Sequence, residues 1–470
     1  MNLEDYYRHF GVEESLIGDI FSIALSKGGD YCDLYFQHTL SDHIGLEDNI
    51  VNRAYRQVDF GVGIRVLKGD QTGYSFSEEI TRETMETAAR MAANIADSSR
   101  PVKALPLKLH KSADYYPITR PWEEVTIDEK IPVLHRINDR VFSLDPRVIK
   151  SAVQFTNETS YVLLATSEGR ITCDCLPMGA ISVSCTAEKN GRREQNRYAT
   201  AGRRGFDFFS AKVDDLAREV VERTILLFDA EKPPGGEMPV VLASGSSGIL
   251  LHEAIGHGME ADFNRKKVSI FCDKIGKPVA ERFVNIVDDG TNGHMRGSLN
   301  VDDEGNDSRK TVLVENGILK GYLHDRLSSR YYKVEPTGNG RRQSFRFAPE
   351  PRMRNTYMLP GPFSRDEVIK SVKKGLYAQS FTNGQVLIGA GDFTFYVKMG
   401  YLIEDGRLTR PVKDINIIGN GPKVLSDIVM VADDFKMDER TWTCGKDGQS
   451  VPVSLGQPTV KVSKITVGGM

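Results

Sequence analysis

The chain has 470 residues, 40% hydrophobic and 27% charged, which is the profile of a globular protein and excludes a disordered, collagen-like or coiled-coil chain. Its 61 Lys and Arg and 64 Asp and Glu give a formal net charge of -3, without the basic excess typical of nucleic-acid-binding proteins. The sequence contains no apolar run of about 18 residues, so no membrane span is predicted, and the first residues lack a signal-peptide pattern. Six cysteines are too few for a disulfide scaffold. We therefore expect a cytoplasmic protein of two domains, with no direct nucleic-acid or membrane partner.

The first half of the chain combines strand and helix patterns. Strands are predicted to begin at Cys32 and to cover residues 58–66, and the turn-forming residues 68–73 join the second strand to a third at 74–77. Helical periodicity is found at 81–96, 127–142 and 212–227, with further strand patterns at 160–165 and 180–186. These elements predict an α+β domain over residues 1–232.

A boundary is predicted at residues 231–237, which contain two prolines, two glycines and charged residues but no apolar period. Beyond it, one helix is expected at 248–263, followed by short strands with frequent glycines. Hairpins are predicted at 311–323, around Asn316 and Gly317, and at 400–412. Short strands separated by frequent turns predict a β-rich, barrel-like or sandwich-like domain over residues 237–470.

The sharpest local pattern is His252 and Glu253 followed by His257. In the related HExxH helix of zinc proteases the two histidines are four residues apart and chelate one ion together. Here they are five apart, which is about 140° around a regular α-helix. Both can bind one metal only if the helix is overwound, underwound or bulged, and Gly256 stands where such a distortion costs least. We therefore predict an irregular helix at this point.

Two histidines leave a metal short of protein ligands. Of the remaining candidates Cys444 has the most marked context, because Gly445 follows it and Lys446 stands two residues later, which suits a thiolate in an electropositive turn. Two imidazoles and a thiolate would leave one position of a catalytic metal open for water, and Glu253 would take the proton of that water. In the alternative interpretation, the two histidines make ordinary hydrogen bonds and Cys444 is a small buried hydrophobe.

The chain closely resembles the TldD/PmbA family of metalloproteases, on its metal-bearing, TldD-like side. The resemblance is carried by residues 248–262, which read GILLHEAIGHGMEAD, and by residues 444–449, which read CGKDGQ. Supporting segments lie at 288–291, 302–305, 338–342, 351–357, 418–422 and 456–469, so the similarity is dense in the second half and looser in the first. Members of this family have also been described as modulators of DNA gyrase.

The resemblance implies a metallopeptidase of the HExxxH type that hydrolyses unfolded or extended peptides. It implies that His252, His257 and Cys444 hold zinc or another divalent metal and that Glu253 is the general base; it assigns no substrate-binding residue. It also implies a partner, because family members work as a heterodimer with a metal-free paralogue, TldE or PmbA, or as a homodimer.

The alternative from another class is a non-catalytic assembly or adaptor subunit of a protease complex, which would not need the complete set of metal ligands. A regulator of gyrase or nucleic acid is a third reading, which the charge balance disfavours.

Two further patterns invite a functional interpretation. The acidic residues 302–304 lack the spacing of an EF-hand and are expected to form a solvated turn. The adjacent Arg341 and Arg342 suit either a substrate carboxylate or backbone carbonyls, or a solvated turn with surface ion pairs.

Overall fold

A computed structural model describes residues 1–98 and 100–469, so Met470 of the expected second domain lies outside the described residues. The α-helices are α1 Leu3–Phe10, α2 Glu14–Ala24, α3 Arg82–Ala93, α4 Ile127–Leu144, α5 Phe206–Ser210, α6 Val213–Leu226, α7 Ile249–Leu251, α8 Ala261–Arg265, α9 Arg326–Tyr332, α10 Arg365–Lys370 and α11 Gly421–Ser426. Within the described ranges, none of the helices combines the length and the apolar content needed to cross a membrane.

The strands of the first half are β1 Tyr31–Glu47, β2 Ile50–Lys68, β3 Gln71–Ser77, β4 Lys108–Leu109, β5 Val148–Thr166, β6 Arg170–Lys189 and β7 Arg192–Gly202. Those of the second half are β8 Gly236–Leu242, β9 Ile286–Asp289, β10 Lys310–Glu315, β11 Ile318–Leu319, β12 Gly340–Arg341, β13 Glu350–Pro351, β14 Asn355–Met358, β15 Lys374–Leu387, β16 Asp392–Glu404, β17 Arg407–Asn420, β18 Ile428–Val431, β19 Lys436–Asp438, β20 Thr443–Lys446, β21 Gln449–Pro452, β22 Ser454–Gln457 and β23 Val460–Gly469.

One long sheet forms the first half, in the order β3-β2-β1-β5-β6, with β4 and β7 both paired to β6. Helices cover one face of it. Along β1, Leu34 packs in the core under α1, α2 and α3, while Ile44 packs in the core under α4 and α6. Because residues of like parity on a strand share a face, both groups of helices lie on the same side of the sheet. On the opposite face, Tyr35 packs with Phe345 of the second half.

The sequence patterns predicted most of the strands and helices of the first half. The strand patterns at 58–66, 74–77, 160–165 and 180–186 lie inside β2, β3, β5 and β6, and the three helical patterns match α3, α4 and α6. The helices α1 and α2 were not predicted, although Asn2 caps α1 through a reciprocal pair of hydrogen bonds with Asp5 and Gly11 ends it with a φ of 65°.

The second half contains a closed ring of strands in the order β17-β16-β15-β8-β23, with β23 also paired to β17. This confirms the barrel-like architecture within an α+β fold. A second sheet has the order β11-β10-β9-β14-β22-β19. The helical segment around Leu250 and Ile255 packs in one core with barrel residues such as Phe395 and with second-sheet residues such as Met358. The expected boundary at 231–237 follows α6 and overlaps the first two residues of β8, and the division into residues 1–232 and 237–470 remains a proposal.

A buried ion network joins the two halves. Arg65 contacts Asp33 at 2.6 Å and Glu304 at 2.7 Å, and Arg342 contacts Asp33 at 3.1 Å, with every one of these side chains at most 1% exposed. Asp302 is also buried and accepts the backbone N–H groups of residues 304, 306 and 340. The expectation of a solvated acidic turn at 302–304 is therefore wrong, because Arg65 from β2 pairs with Glu304 and backbone N–H groups hold Asp302 in the interior.

The adjacent arginines are likewise structural. Arg341 is buried and donates to the backbone carbonyls of Met353 and Pro452. Arg342 lies in the network described above, so neither a substrate carboxylate nor a solvated turn describes this pair. Of the expected roles, donation to backbone carbonyls is the one that Arg341 has.

Candidate metal centre

The segment that carries the two histidines is an irregular helix, as the spacing predicted. A 3-10 turn at Ser246–Gly248 leads into α7, a π-helical turn covers His252–Gly256, and a second 3-10 turn covers His257–Met259 before Glu260 returns to an extended conformation. In a π turn each residue is bonded to the one five positions later, so His252 and His257 project to the same side. Their ring centroids are 5.1 Å apart.

The third candidate ligand reaches this helix from a β-hairpin. β20 and β21 pair antiparallel across Asp447 and Gly448, whose φ angles of 46° and 77° allow the two-residue turn. The hairpin places Cys444 Sγ 3.4 Å from His257 Nε2. One ligand atom each from His252, His257 and Cys444 lies within 4.8 Å of the others, and all three residues are buried. The structure thus brings together residues that are 187 positions apart in the chain.

The residues fit a metal such as zinc by their chemistry. Two imidazoles and one thiolate are a donor set of catalytic zinc sites, which leave a further position open. His252 Nδ1 is buried and has no hydrogen-bond partner in the described part of the chain. Burial opposes ionisation of Cys444, but the charges of His257 and His252 hold the pKa of its thiol well below the ordinary value. A lowered pKa favours the thiolate, which is the form of cysteine that binds metals.

A buried carboxylate orients one of the histidines. His257 Nδ1 donates to Glu260 Oε2 at 2.9 Å, and the Glu260 side chain is fully buried. This bond holds the ring so that Nε2 faces Cys444, which is the usual arrangement behind a metal-binding histidine. Despite burial, Lys446 and His257 lower the pKa of Glu260 to about 2. Sequence reasoning missed this residue, and its position three residues after His257 was the available signal.

Glu253 points into a cleft of about 1140 Å³ that His257 also lines. Burial raises the pKa of its carboxyl, although the nearby histidines act in the opposite direction. A Cβ on Gly384 would lie 2.3 Å from Phe395 Cε1 and 3.4 Å from Glu253 Cγ, so the glycine leaves room for the Phe395 ring and lies in ordinary contact distance of Glu253. The arrangement places a proton acceptor at the wall of the cleft next to the histidine and cysteine cluster.

One side of the cleft is a strand edge. Residues 383–387 of β15 pair with β16 along one edge, whereas β8 pairs with β15 only at 376–378. Within the described residues, no strand covers the other edge of 383–387. Gln385 and Leu387 from this stretch line the cleft together with Phe263 and Phe393. A free strand edge beside apolar side chains is suited to binding an extended peptide.

The chain is similar to known proteins along nearly its whole length. Models of the PmbA/TldA metallopeptidase match as domain 1 at residues 32–96, as the central domain at 120–228 and as the C-terminal domain at 235–469. The chain is 40% identical to the metalloprotease TldD homolog of Buchnera aphidicola subsp. Acyrthosiphon pisum over 94% of its length and 93% of the relative. It is 40% identical to that of Haemophilus influenzae, over 96% and 95%. It is 31% identical to the zinc metalloprotease TldD homolog of Saccharolobus solfataricus, over 94% and 97%.

Solved structures share the fold. A putative modulator of a DNA gyrase from Thermotoga maritima superposes with a TM-score of 0.78 at 21% identity, covering 97% of this chain and 100% of that one. TldE from Thermococcus kodakarensis gives a TM-score of 0.75 at 17% identity, covering 96% and 98%. With matches along nearly its whole length, the chain belongs to the PmbA/TldD metallopeptidase family.

Proposed function

We propose that this protein is a metal-dependent peptidase of the HExxxH type that hydrolyses unfolded or extended peptides. In this proposal His252, His257 and Cys444 hold the metal, which is zinc or another divalent ion. The observation that carries it is the convergence of three buried ligand atoms within 4.8 Å of one another. The zinc in the name of the Saccharolobus solfataricus relative supports the choice of metal. A bound metal supplies a Lewis acid that polarises the scissile carbonyl and acidifies water.

The chain itself supplies the proton transfers. Glu253 accepts the proton of the attacking water and delivers it to the leaving amine. Its partial burial and raised pKa suit this double role, because the protonated and ionised forms are then closer in free energy at neutral pH than for an exposed carboxyl. Glu260 keeps the ring of His257 in one orientation throughout the reaction.

The substrate lies as an added strand along residues 383–387 of β15. Main-chain hydrogen bonds to this edge give affinity without strong side-chain selectivity. A segment whose backbone is already paired within a folded protein cannot also pair with this edge, so the proposal favours an unfolded or extended substrate. The apolar side chains of Phe263 and Phe393 contact the peptide's side chains across the cleft.

We also propose a dimeric, cytoplasmic enzyme. The partner is a second copy of the chain or a metal-free TldE/PmbA-like paralogue, and the similarity of fold to TldE from Thermococcus kodakarensis supports the second choice. All six cysteines are free thiols, as suits a reducing compartment. The rival candidate is a non-catalytic assembly or adaptor subunit, which the complete ligand set disfavours.

The test is the variant Glu253→Gln, assayed for cleavage of an unfolded polypeptide and for bound metal. We expect cleavage to fall by about two to four orders of magnitude while the metal content stays unchanged. The matched control is Glu237→Gln, because Glu237 lines the same cleft but is half-exposed and paired with Lys464. Full activity of the Glu253→Gln variant would exclude Glu253 as the general base. If the wild-type protein binds metal but does not cleave the polypeptide, even after addition of the paralogue, the non-catalytic subunit is favoured.

A further inference from the structure

Lys446 is a buried ammonium directly behind the proposed metal ligands. Its side chain is 2% exposed, and Nζ lies 2.8 Å from Asp262 Oδ1, 2.9 Å from the Pro351 carbonyl oxygen and 3.3 Å from Glu260 Oε2. The ring of Phe263 lies 4.4 Å from Nζ on a further side. The ammonium donates hydrogen bonds to Asp262 and to the Pro351 carbonyl oxygen, and Glu260 Oε2 is in ion-pair contact with it. We call the groups around Lys446 Nζ, namely Asp262, the Pro351 carbonyl, Glu260 and Phe263, the lysine cage.

The cage is connected to the metal ligands by a single carboxylate oxygen. Glu260 Oε2 accepts from His257 Nδ1 and also faces Lys446 Nζ, while Glu260 Oε1 has no hydrogen-bond partner in the described residues. A fully buried carboxylate is strongly disfavoured without a compensating cation. Lys446 is the ammonium nearest to Glu260, so the position of Glu260 depends on it.

The hairpin links this cation to the thiolate. Cys444 and Lys446 are two residues apart on β20, so their side chains lie on the same face of the strand. One short strand therefore presents a metal ligand and the cation that holds the carboxylate behind a second ligand. The next cation, Arg352, donates instead to the Cys444 carbonyl oxygen at 2.5 Å and lies 3.4 Å from Glu350.

We propose that Lys446 is a positioning residue of the metal centre, holding Glu260 in the place from which it fixes the ring of His257 towards Cys444. This inference rests on the proposed metal site. It also explains why the residue is a lysine: a planar guanidinium could not match three acceptors arranged around a compact ammonium. Lys446→Arg is therefore expected to fail like a neutral replacement.

The experiment measures zinc affinity of the full-length protein by competition with a chelator. Lys446→Met is expected to weaken zinc binding by about 10-fold to 100-fold, the range found for residues behind metal ligands. The matched control is Lys130→Met, because Lys130 is equally buried, contacts Asp42 at 2.7 Å and lies 5.9 Å from the Trp122 ring, in the first half of the chain. This control is expected to lose stability but to keep its zinc affinity.

Two readouts separate positioning from a general loss of structure. In the cobalt-substituted protein, Lys446→Met is expected to change the visible absorption bands, whereas Lys130→Met leaves them unchanged. In a Glu260→Gln background, adding Lys446→Met is expected to change zinc affinity by less than about threefold, because the carboxylate through which it acts is gone.

The outcomes are distinguishable. Unchanged affinity in Lys446→Met, or the full loss retained in the Glu260→Gln background, would overturn the positioning role while leaving the metal site intact. Absence of zinc binding in the wild-type protein would overturn the metal site and this inference together. If Lys446→Met does not fold, Asp262→Asn takes its place, because it loosens the cage without touching His257; unchanged affinity there would count against the proposal.

Discussion

Adding one methyl group at Gly256, in the π turn, is expected to destabilise the protein because the new atom would clash with Met353. A Cβ built at this position would lie 2.0 Å from Met353 Sδ, 3.1 Å from Met353 Cε and 3.3 Å from the Leu251 carbonyl oxygen. Ordinary contacts between such heavy atoms are about 3.5–4.0 Å, so Met353 would have to move by roughly 1.5–2 Å. Met353 is fully buried in the core of the second half and cannot turn into solvent.

The expected change in unfolding free energy is the sum of two opposing contributions. Replacing glycine by alanine inside a helix ordinarily stabilises a protein by about 0.5–1 kcal/mol, whereas overpacking a core costs about 1–3 kcal/mol. We therefore expect Gly256→Ala to destabilise the protein by about 1–2 kcal/mol and to weaken zinc binding, because the displaced turn carries His252 and His257. The assay is denaturant unfolding followed by circular dichroism, with zinc affinity measured by chelator competition.

The control is Gly18→Ala in α2, where an added Cβ would meet no atom within 4 Å and stabilisation is expected. In a Met353→Ala background the penalty of Gly256→Ala should shrink, because the two closest atoms are absent. A Gly256→Ala protein as stable as the wild type, with unchanged zinc affinity, would refute the reasoning.

Two further predictions concern stability. Arg65→Met is expected to cost about 3–5 kcal/mol in unfolding free energy, because it leaves Asp33 and Glu304 buried with less compensating charge; the exposed Arg56→Met should cost less than about 1 kcal/mol, and equal losses would contradict the account. Burial lowers the pKa of His324 from 6.5 to about 4, so the unfolded chain binds this proton first and stability is lost as the pH falls from 6.5 to about 4. Unfolding measured across this range should show a shallower loss in His324→Gln, and identical pH dependence in both proteins would be inconsistent with a buried neutral histidine.

The sequence was sufficient for the parts of the site that are local or strongly patterned. His252 and His257 stand next to Glu253, and the five-residue spacing requires a distorted helix whatever the rest of the fold. Cys444 was chosen from its immediate neighbours. Frequent strands with glycine-rich turns predicted a barrel-like or sandwich-like domain, but the choice between the two depends on the pairing of β17 with β23, which no local pattern reveals.

The sequence was insufficient where a residue's role depends on a distant partner. Residues 302–304 resemble a solvated turn until Arg65 reaches them from β2, 239 positions earlier in the chain. Glu260 and Lys446 are ordinary charged residues in the sequence, and only the hairpin β20–β21 brings them to 3.3 Å of each other. Long-range charge pairing has no periodicity, so pattern reasoning cannot detect it.

The central claim is that His252, His257 and Cys444 together hold a metal. The most direct test is elemental analysis of protein purified without chelators, comparing the wild type with Cys444→Ser and with Cys185→Ser. Cys185 is a matched control because it is also buried, but burial raises the pKa of its thiol to about 11 and it lies in the first half of the chain. We expect about one metal ion per chain in the wild type and in Cys185→Ser, and a large loss in Cys444→Ser. Undiminished metal in Cys444→Ser, or none in the wild type, would contradict it.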